Sequence, residues 1–127
     1  PSPRRYGGYM PESEPESRAL AVFTRKIRPR MAIALHSQGE EIFWEYGKNR
    51  PLRSKELAGI FSSVSGYTLV ENSGLASHGG FKDWFIDYFN KPAFTVEIGN
   101  GTNPLPISDF DGILKKTIPM LTIASVL

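Results

Sequence analysis

Two kinds of hydrophobic pattern alternate along the chain, and that alternation narrows the folds open to it. Met31-Ala32-Ile33-Ala34-Leu35, Ile42-Phe43-Trp44-Glu45-Tyr46 and Ala93-Phe94-Thr95-Val96-Glu97-Ile98 are short, dense apolar runs. Runs of that length, bounded by polar or proline-containing segments, predict buried strands. Between and around them apolar residues recur at helical spacing: Leu20, Phe23 and Ile27; Leu57, Ile60, Phe61 and Val64; Trp84, Phe85 and Tyr88; and Phe110, Ile113, Leu114, Leu121 and Ala124. Helices alternating with short hydrophobic strands predict an α/β sheet with covering helices.

The punctuation agrees with this reading. Ser13 and Glu16 have the spacing of a capping box with Pro15 in the first turn, and Pro29 closes that helix. Ser54 is placed to cap a helix that Gly66 ends, and Tyr67 to Val70 forms a further short strand. A polar, Gly-rich loop over 71–80 leads into a helix over 80–89, and a turn-rich loop over 99–106 precedes a final helix from Ser108 to Leu127. Pro119 is expected to kink or divide that last helix.

A length of 127 residues fits one small domain. The absence of cysteine excludes disulfide scaffolds, thiol nucleophiles and cysteine-ligated metal sites. With two histidines, a three-ligand catalytic zinc site built from this chain alone would need both plus a carboxylate. Fifteen Lys and Arg against 13 Asp and Glu is close to balance. The basic residues at 18, 25, 26, 28 and 30 cluster around a helix C-terminus, where they complement the macrodipole. No long basic run or stacking motif accompanies them, so nucleic acid is not the expected partner. No apolar run approaches the roughly 20 residues of a membrane span, and no signal peptide is visible. The chain opens at Pro1 without an initiator methionine, which fits a processed product or a fragment.

Ligands of open α/β sheets gather beyond the carboxyl ends of the strands. His36 follows the first apolar run, and Glu97 sits late in the third. Alternation puts Thr95 and Glu97 on one face and Val96 and Ile98 on the other. A strand-end histidine bonded to backbone and a buried ion pair are the structural alternatives for these two residues. Together, at the ends of neighbouring strands, they have the chemistry of a metal ligand and a general base. The glycines of Ser77-His78-Gly79-Gly80-Phe81-Lys82-Asp83-Trp84 match neither a dinucleotide nor a P-loop spacing.

Three segments resemble, in order, motifs of the zinc carboxypeptidases. His36-Ser37-Gln38 resembles the segment carrying the family's third zinc ligand. Gly79, Gly80, Asp83 and Trp84 match its Gly-Gly-x-x-Asp-Trp segment. Phe94-Thr95-Val96-Glu97 resembles its Phe-Thr-x-Glu strand, whose glutamate is the catalytic base. The wording around His36 to Ile42, Gly80 to Ile86 and Glu97 to Pro106 is similar to a bacterial branch, the γ-D-glutamyl-meso-diaminopimelate peptidases. The resemblance implies an incomplete zinc carboxypeptidase-like α/β fold, with residues 1–127 as the C-terminal portion of the catalytic domain and a mixed sheet flanked by helices.

It also implies roles. His36 would hold zinc with a histidine and a glutamate from an earlier His-x-x-Glu motif. Glu97 would take a proton from the attacking water. Lys82 would lie at the base of the side-chain pocket, suited to an acidic group on the departing residue, with Thr95 and Ala34 lining it; a solvated helix lysine is the alternative for Lys82. The implied substrate is a murein stem peptide, in the bacterial cytoplasm or at the cell wall. Two departures stand out. Leu75 occupies the position of the family's mobile tyrosine, and both the His-x-x-Glu motif and the Asn-Arg pair that grips the terminal carboxylate are absent. His78 is not at a ligand position. The chain alone is therefore expected to hold zinc poorly, to be inactive, and to self-associate through an exposed sheet edge. A non-catalytic cell-wall peptide-binding module, or a structural domain with His36 and Glu97 merely buried, are the competing readings.

Overall fold

The computed structural model describes residues 8–71 and 79–127, which form two compact units, one up to Arg30 and one from Met31 to Leu127. The first unit contains helix α1, Pro15–Ile27. The expected capping box does not form. Glu14 is the N-cap with no side-chain cap bond, and the Ser13 hydroxyl instead donates to the Glu14 carboxylate at 3.1 Å. Arg25 reaches back to Glu12 through two bonds of 2.6 and 2.7 Å. That bidentate pairing pulls the Glu12 carboxyl below its ordinary range. Leu20, Val22, Phe23 and Ile27 are exposed, so the apolar spacing of this helix does not translate into a buried face.

The second unit is built on a four-stranded mixed sheet: β1 Ala32–His36, β2 Glu41–Phe43, β3 Thr68–Val70 and β4 Ala93–Glu97. Their order across the sheet is β1-β4-β2-β3. β4 runs parallel to β1 and antiparallel to β2, and β2 runs parallel to β3. Helices α2 (Ser54–Ser65), α3 (Phe81–Phe89) and α4 (Phe110–Ala124) cover it. β1 and β3 are therefore the edges, and Leu35 on β1 is substantially exposed.

The two faces of the sheet are filled differently. Ile42, Phe94 and Val96 turn to one face and join Leu57, Ala58, Phe61 and Met120 of α2 and α4 in the main core. Phe61 meets Phe94 edge-to-face at 5.0 Å, a favoured geometry for aromatic pairs. On the other face α3 packs Phe85 and Ile86 against Ala93 and Ala32 at the start of β4 and β1. The small alanine side chains let this helix approach closely.

The helix boundaries follow the sequence more closely than the caps do. α2 ends at Gly66, whose φ of 75° lies in the left-handed region that glycine adopts without a Cβ penalty. Its N-cap is Arg53, and the Ser54 hydroxyl is buried without a partner, so Ser54 is not the expected cap. The last helix runs continuously through Pro119 rather than dividing, after a short 3-10 turn over Ile107–Asp109.

Candidate active site

The pairing of strands builds the site. In the parallel ladder His36 stands opposite Glu97 and Ala34 opposite Thr95. In the antiparallel ladder Glu41 stands opposite Glu97, and Phe43 opposite Thr95. Directly paired residues project to the same face. His36, Glu97 and Glu41 thus form one row across three strands, and Ala34, Thr95 and Phe43 form the row beneath it. Both rows lie on the face carrying α3, the first at the carboxyl ends of β1 and β4 and the second midway along them. α3 packs on the opposite end of that face, around Ala32 and Ala93.

Hydrogen bonds tie together the loops that leave β1 and β4. The Ile98 amide donates to the His36 carbonyl at 2.8 Å, and the Gly39 and Glu40 amides both donate to the Gly99 carbonyl, at 2.8 and 3.1 Å. The Asn103 amide group donates to the Ser37 carbonyl at 2.8 Å and its oxygen accepts from the Ser37 hydroxyl at 3.1 Å. Lys116 of α4 reaches Glu40 at 2.5 Å. Gly99 has φ 69°, and a Cβ there would lie 2.6 Å from a methyl of Leu105 and 2.8 Å from one of Ile113. Only glycine fits that turn without displacing both side chains.

Electrostatics single out Glu97. Partial burial pushes its carboxyl above the ordinary glutamate range, His36 pulls it down, and the neighbouring Glu41 pushes it up further. A carboxyl raised in this way has the direction of change a general base requires to work near neutral pH. Glu41 escaped the sequence reading. It begins a short strand far from Glu97 in sequence, and only the β2–β4 register brings the two together. The available signal was a charge heading an otherwise apolar strand.

The structure places Lys82 away from solvent. Its residue is 4% exposed, and its ammonium donates to the Glu45 carbonyl at 2.6 Å and to the Asp83 carboxylate. It is therefore not a solvated helix lysine. An ammonium carries three donors, so one remains beyond these two bonds. Glu45 is buried as well and is held by Arg50 at 2.5 Å. A separate cavity of about 200 Å³ lies at the start of α3, lined by Tyr46, Gly79, Gly80, Asp83, Trp84 and Asp87. Neither His36 nor Glu97 lines it. Leu75 and His78 lie outside the described residues.

His36 is the one histidine among the described residues, and no group of three or more His, Asp or Glu side chains there could hold a metal ion. One imidazole does not make a zinc site, which needs three protein donors. The donor set of the described residues thus fits a partial contribution to such a site and not the whole of it.

A strand-end histidine beside a base-like glutamate, on a mixed sheet flanked by helices, is the arrangement of one class of hydrolase. The zinc carboxypeptidase family model matches residues 1–119, and the chain belongs to that family. It is 43% identical over 118 residues to γ-D-glutamyl-L-diamino acid endopeptidase 1 of Lysinibacillus sphaericus, covering 93% of this chain and 29% of that protein. Among solved structures it is similar to thrombin activatable fibrinolysis inhibitor, with a TM-score of 0.77 and 28% identity, covering 91% of this chain and 34% of the other. It is also similar to murein-tripeptide amidase MpaA of Escherichia coli O157, with a TM-score of 0.61 and 25% identity, covering 91% and 43%. The chain spans about three-tenths of the length of the curated relatives it matches.

Proposed function

We propose that residues 1–127 are the C-terminal portion of a zinc metallopeptidase domain, and that the whole protein hydrolyses the bond between γ-D-glutamate and a diamino acid such as diaminopimelate in murein peptides. The observation that supports this most is the register pairing of His36 with Glu97 at the carboxyl ends of two parallel strands. The similarity to a γ-D-glutamyl-L-diamino acid endopeptidase supports the substrate class.

In this reading His36 contributes one imidazole to the zinc site, the other ligands coming from outside the described residues. Zinc, when bound, polarises the scissile carbonyl and eases deprotonation of water. Glu97 lies beside it on the neighbouring strand. Its carboxylate accepts the proton of the attacking water and returns it to the departing amine, so that the proton inventory closes at the same oxygen. Ala34 and Thr95 form the wall next to the base, and Ala34 leaves room that a larger side chain would fill. Lys82 supplies the positive charge of the pocket. With two of its N–H groups donated to the Glu45 carbonyl and the Asp83 carboxylate, its remaining N–H donates to one carboxylate oxygen, suited to an acidic group on the departing residue.

The test is hydrolysis of a γ-D-glutamyl-diaminopimelate peptide by the full-length protein, with and without a zinc chelator. Zinc-dependent release of diaminopimelate is expected. Tight peptide binding without turnover, and without bound zinc, would instead establish a cell-wall peptide-binding module. Among the described residues no helix is long and apolar enough to cross a membrane.

A further inference from the structure

Glu41 has no role in the chemistry above, yet its position is costly. Like charges directly opposite each other on adjacent strands are destabilising, and Glu41 is the direct register partner of Glu97. Burial makes the arrangement worse, since both residues are only partly solvated. Among the described residues the Glu41 side chain makes no hydrogen bond and no ion pair. The nearby cation on α4, Lys116, is taken by Glu40 instead. The buried cation of this face, Lys82, is taken by Asp83 and the Glu45 carbonyl.

The space beside Glu41 is also kept open. Gly39 lies over the pair, and a Cβ there would sit 3.2 Å from the Glu41 carboxylate and 3.5 Å from the Glu97 Cβ. The glycine therefore leaves free the volume that any other residue would occupy. The result is an unneutralised carboxylate, partly desolvated, beside the proposed base and on the same sheet face as Thr95 and Phe43.

We infer that Glu41 is a specificity-determining residue of the site, its carboxylate receiving the second, uncoupled amino group of a diamino acid on the departing side of the scissile bond. This rests on the functional reading above and deepens it. α3, which carries Lys82, packs on the sheet face where Glu41 stands, so a zwitterionic side chain bound there would direct its carboxylate toward Lys82 and its ammonium toward Glu41. A charge-assisted bond of this kind is stronger than a neutral one. A site built to bond such a group also rejects an analogue lacking it, because its own polar atom stays unpaired.

The experiment compares two substrates with the full-length zinc-loaded protein: γ-D-glutamyl-diaminopimelate and γ-D-glutamyl-2-aminopimelate, which keeps the distal carboxylate but lacks the second amine. The readout is the ratio of their kcat/KM values. Any effect of Glu41 exerted through Glu97 is common to both substrates and cancels in that ratio. Glu41→Gln is expected to lower the preference for the diamino substrate by about 10- to 100-fold, mainly through KM, while Glu41→Asp retains part of it. An unchanged ratio in Glu41→Gln, or an equal loss on both substrates, overturns the inference and leaves the functional reading intact. If the unsubstituted protein hydrolyses neither substrate, the functional reading falls and takes the inference with it. Should Glu41→Gln fail to fold, Glu41→Asp carries the test: an unchanged ratio there overturns the inference equally.

Discussion

The two ends of one sheet face treat charge in opposite ways. Around the first turn of α3 the charges are matched: the buried Lys82 with the buried Asp83, and the buried Glu45 with Arg50, whose own side chain is exposed. At the carboxyl ends of β1 and β4, His36, Glu97 and Glu41 stand in one row and make no side-chain hydrogen bond or ion pair among the described residues. A fold that satisfies its polar groups at one end of a face can satisfy them at the other. Three titratable groups left abreast without side-chain partners mark this end as the candidate site. The first end is built for stability and the second against it.

Substitutions can break that contrast. The largest effect is expected at the open end: Glu97→Gln in the full-length protein should lower kcat by about 10²- to 10⁴-fold, the range for a general base, with little change in melting temperature. A comparable loss of stability would mean that Glu97 belongs to the scaffold. At the covered end the pattern should invert. Lys82→Met removes the cation bonded to the buried Asp83 carboxylate, and removing one partner of a buried pair destabilises by about 3–5 kcal/mol, which a denaturant titration will register. A Lys82→Met chain as stable as the parent would erase the distinction between the ends.

Smaller effects sharpen the contrast. Gly99→Ala forces a side chain into left-handed backbone and into Leu105 and Ile113. A loss of about 1–2 kcal/mol is expected, seen as a lower unfolding midpoint. The smallest effect concerns pH. Because the folded Glu97 carboxyl is raised above its unfolded value, the folded chain binds more protons than the unfolded one between the two values. Stability then falls as pH rises through that interval. Measured on zinc-free protein, Glu97→Gln should flatten this decline, and a parallel pH curve for both forms would remove Glu41 and burial as influences on Glu97.

Much of the architecture was legible along the chain. Apolar runs at 31–35 and 93–98 lie within one residue of β1 and β4, and Gly66 ends α2 where expected. Strand-end logic also singled out His36 and Glu97, and the register makes them neighbours. The misses share a cause. The Ser13 and Ser54 caps failed because hydroxyls close to a helix start have other partners or other surroundings, which spacing does not reveal. The apolar stripe of α1 is exposed, since periodicity describes a face and not what lies against it. Pro119 sits inside α4 without dividing it, which excludes one of the two outcomes its position allowed.

Family membership and the α/β alternation were settled by local patterns of residue type, because hydrophobic periodicity and short motifs are properties of neighbours in the chain. The fate of each charge was decided only by the tertiary structure. Lys82 is found buried and bonded to Asp83 and the Glu45 carbonyl; Glu41, marked in sequence only by a charge heading an apolar strand, is found beside Glu97. Whether a charge is neutralised, solvated or left waiting depends on strand register and on which helix covers the face. Both are set by contacts between residues distant in sequence, which no reading along the chain contains.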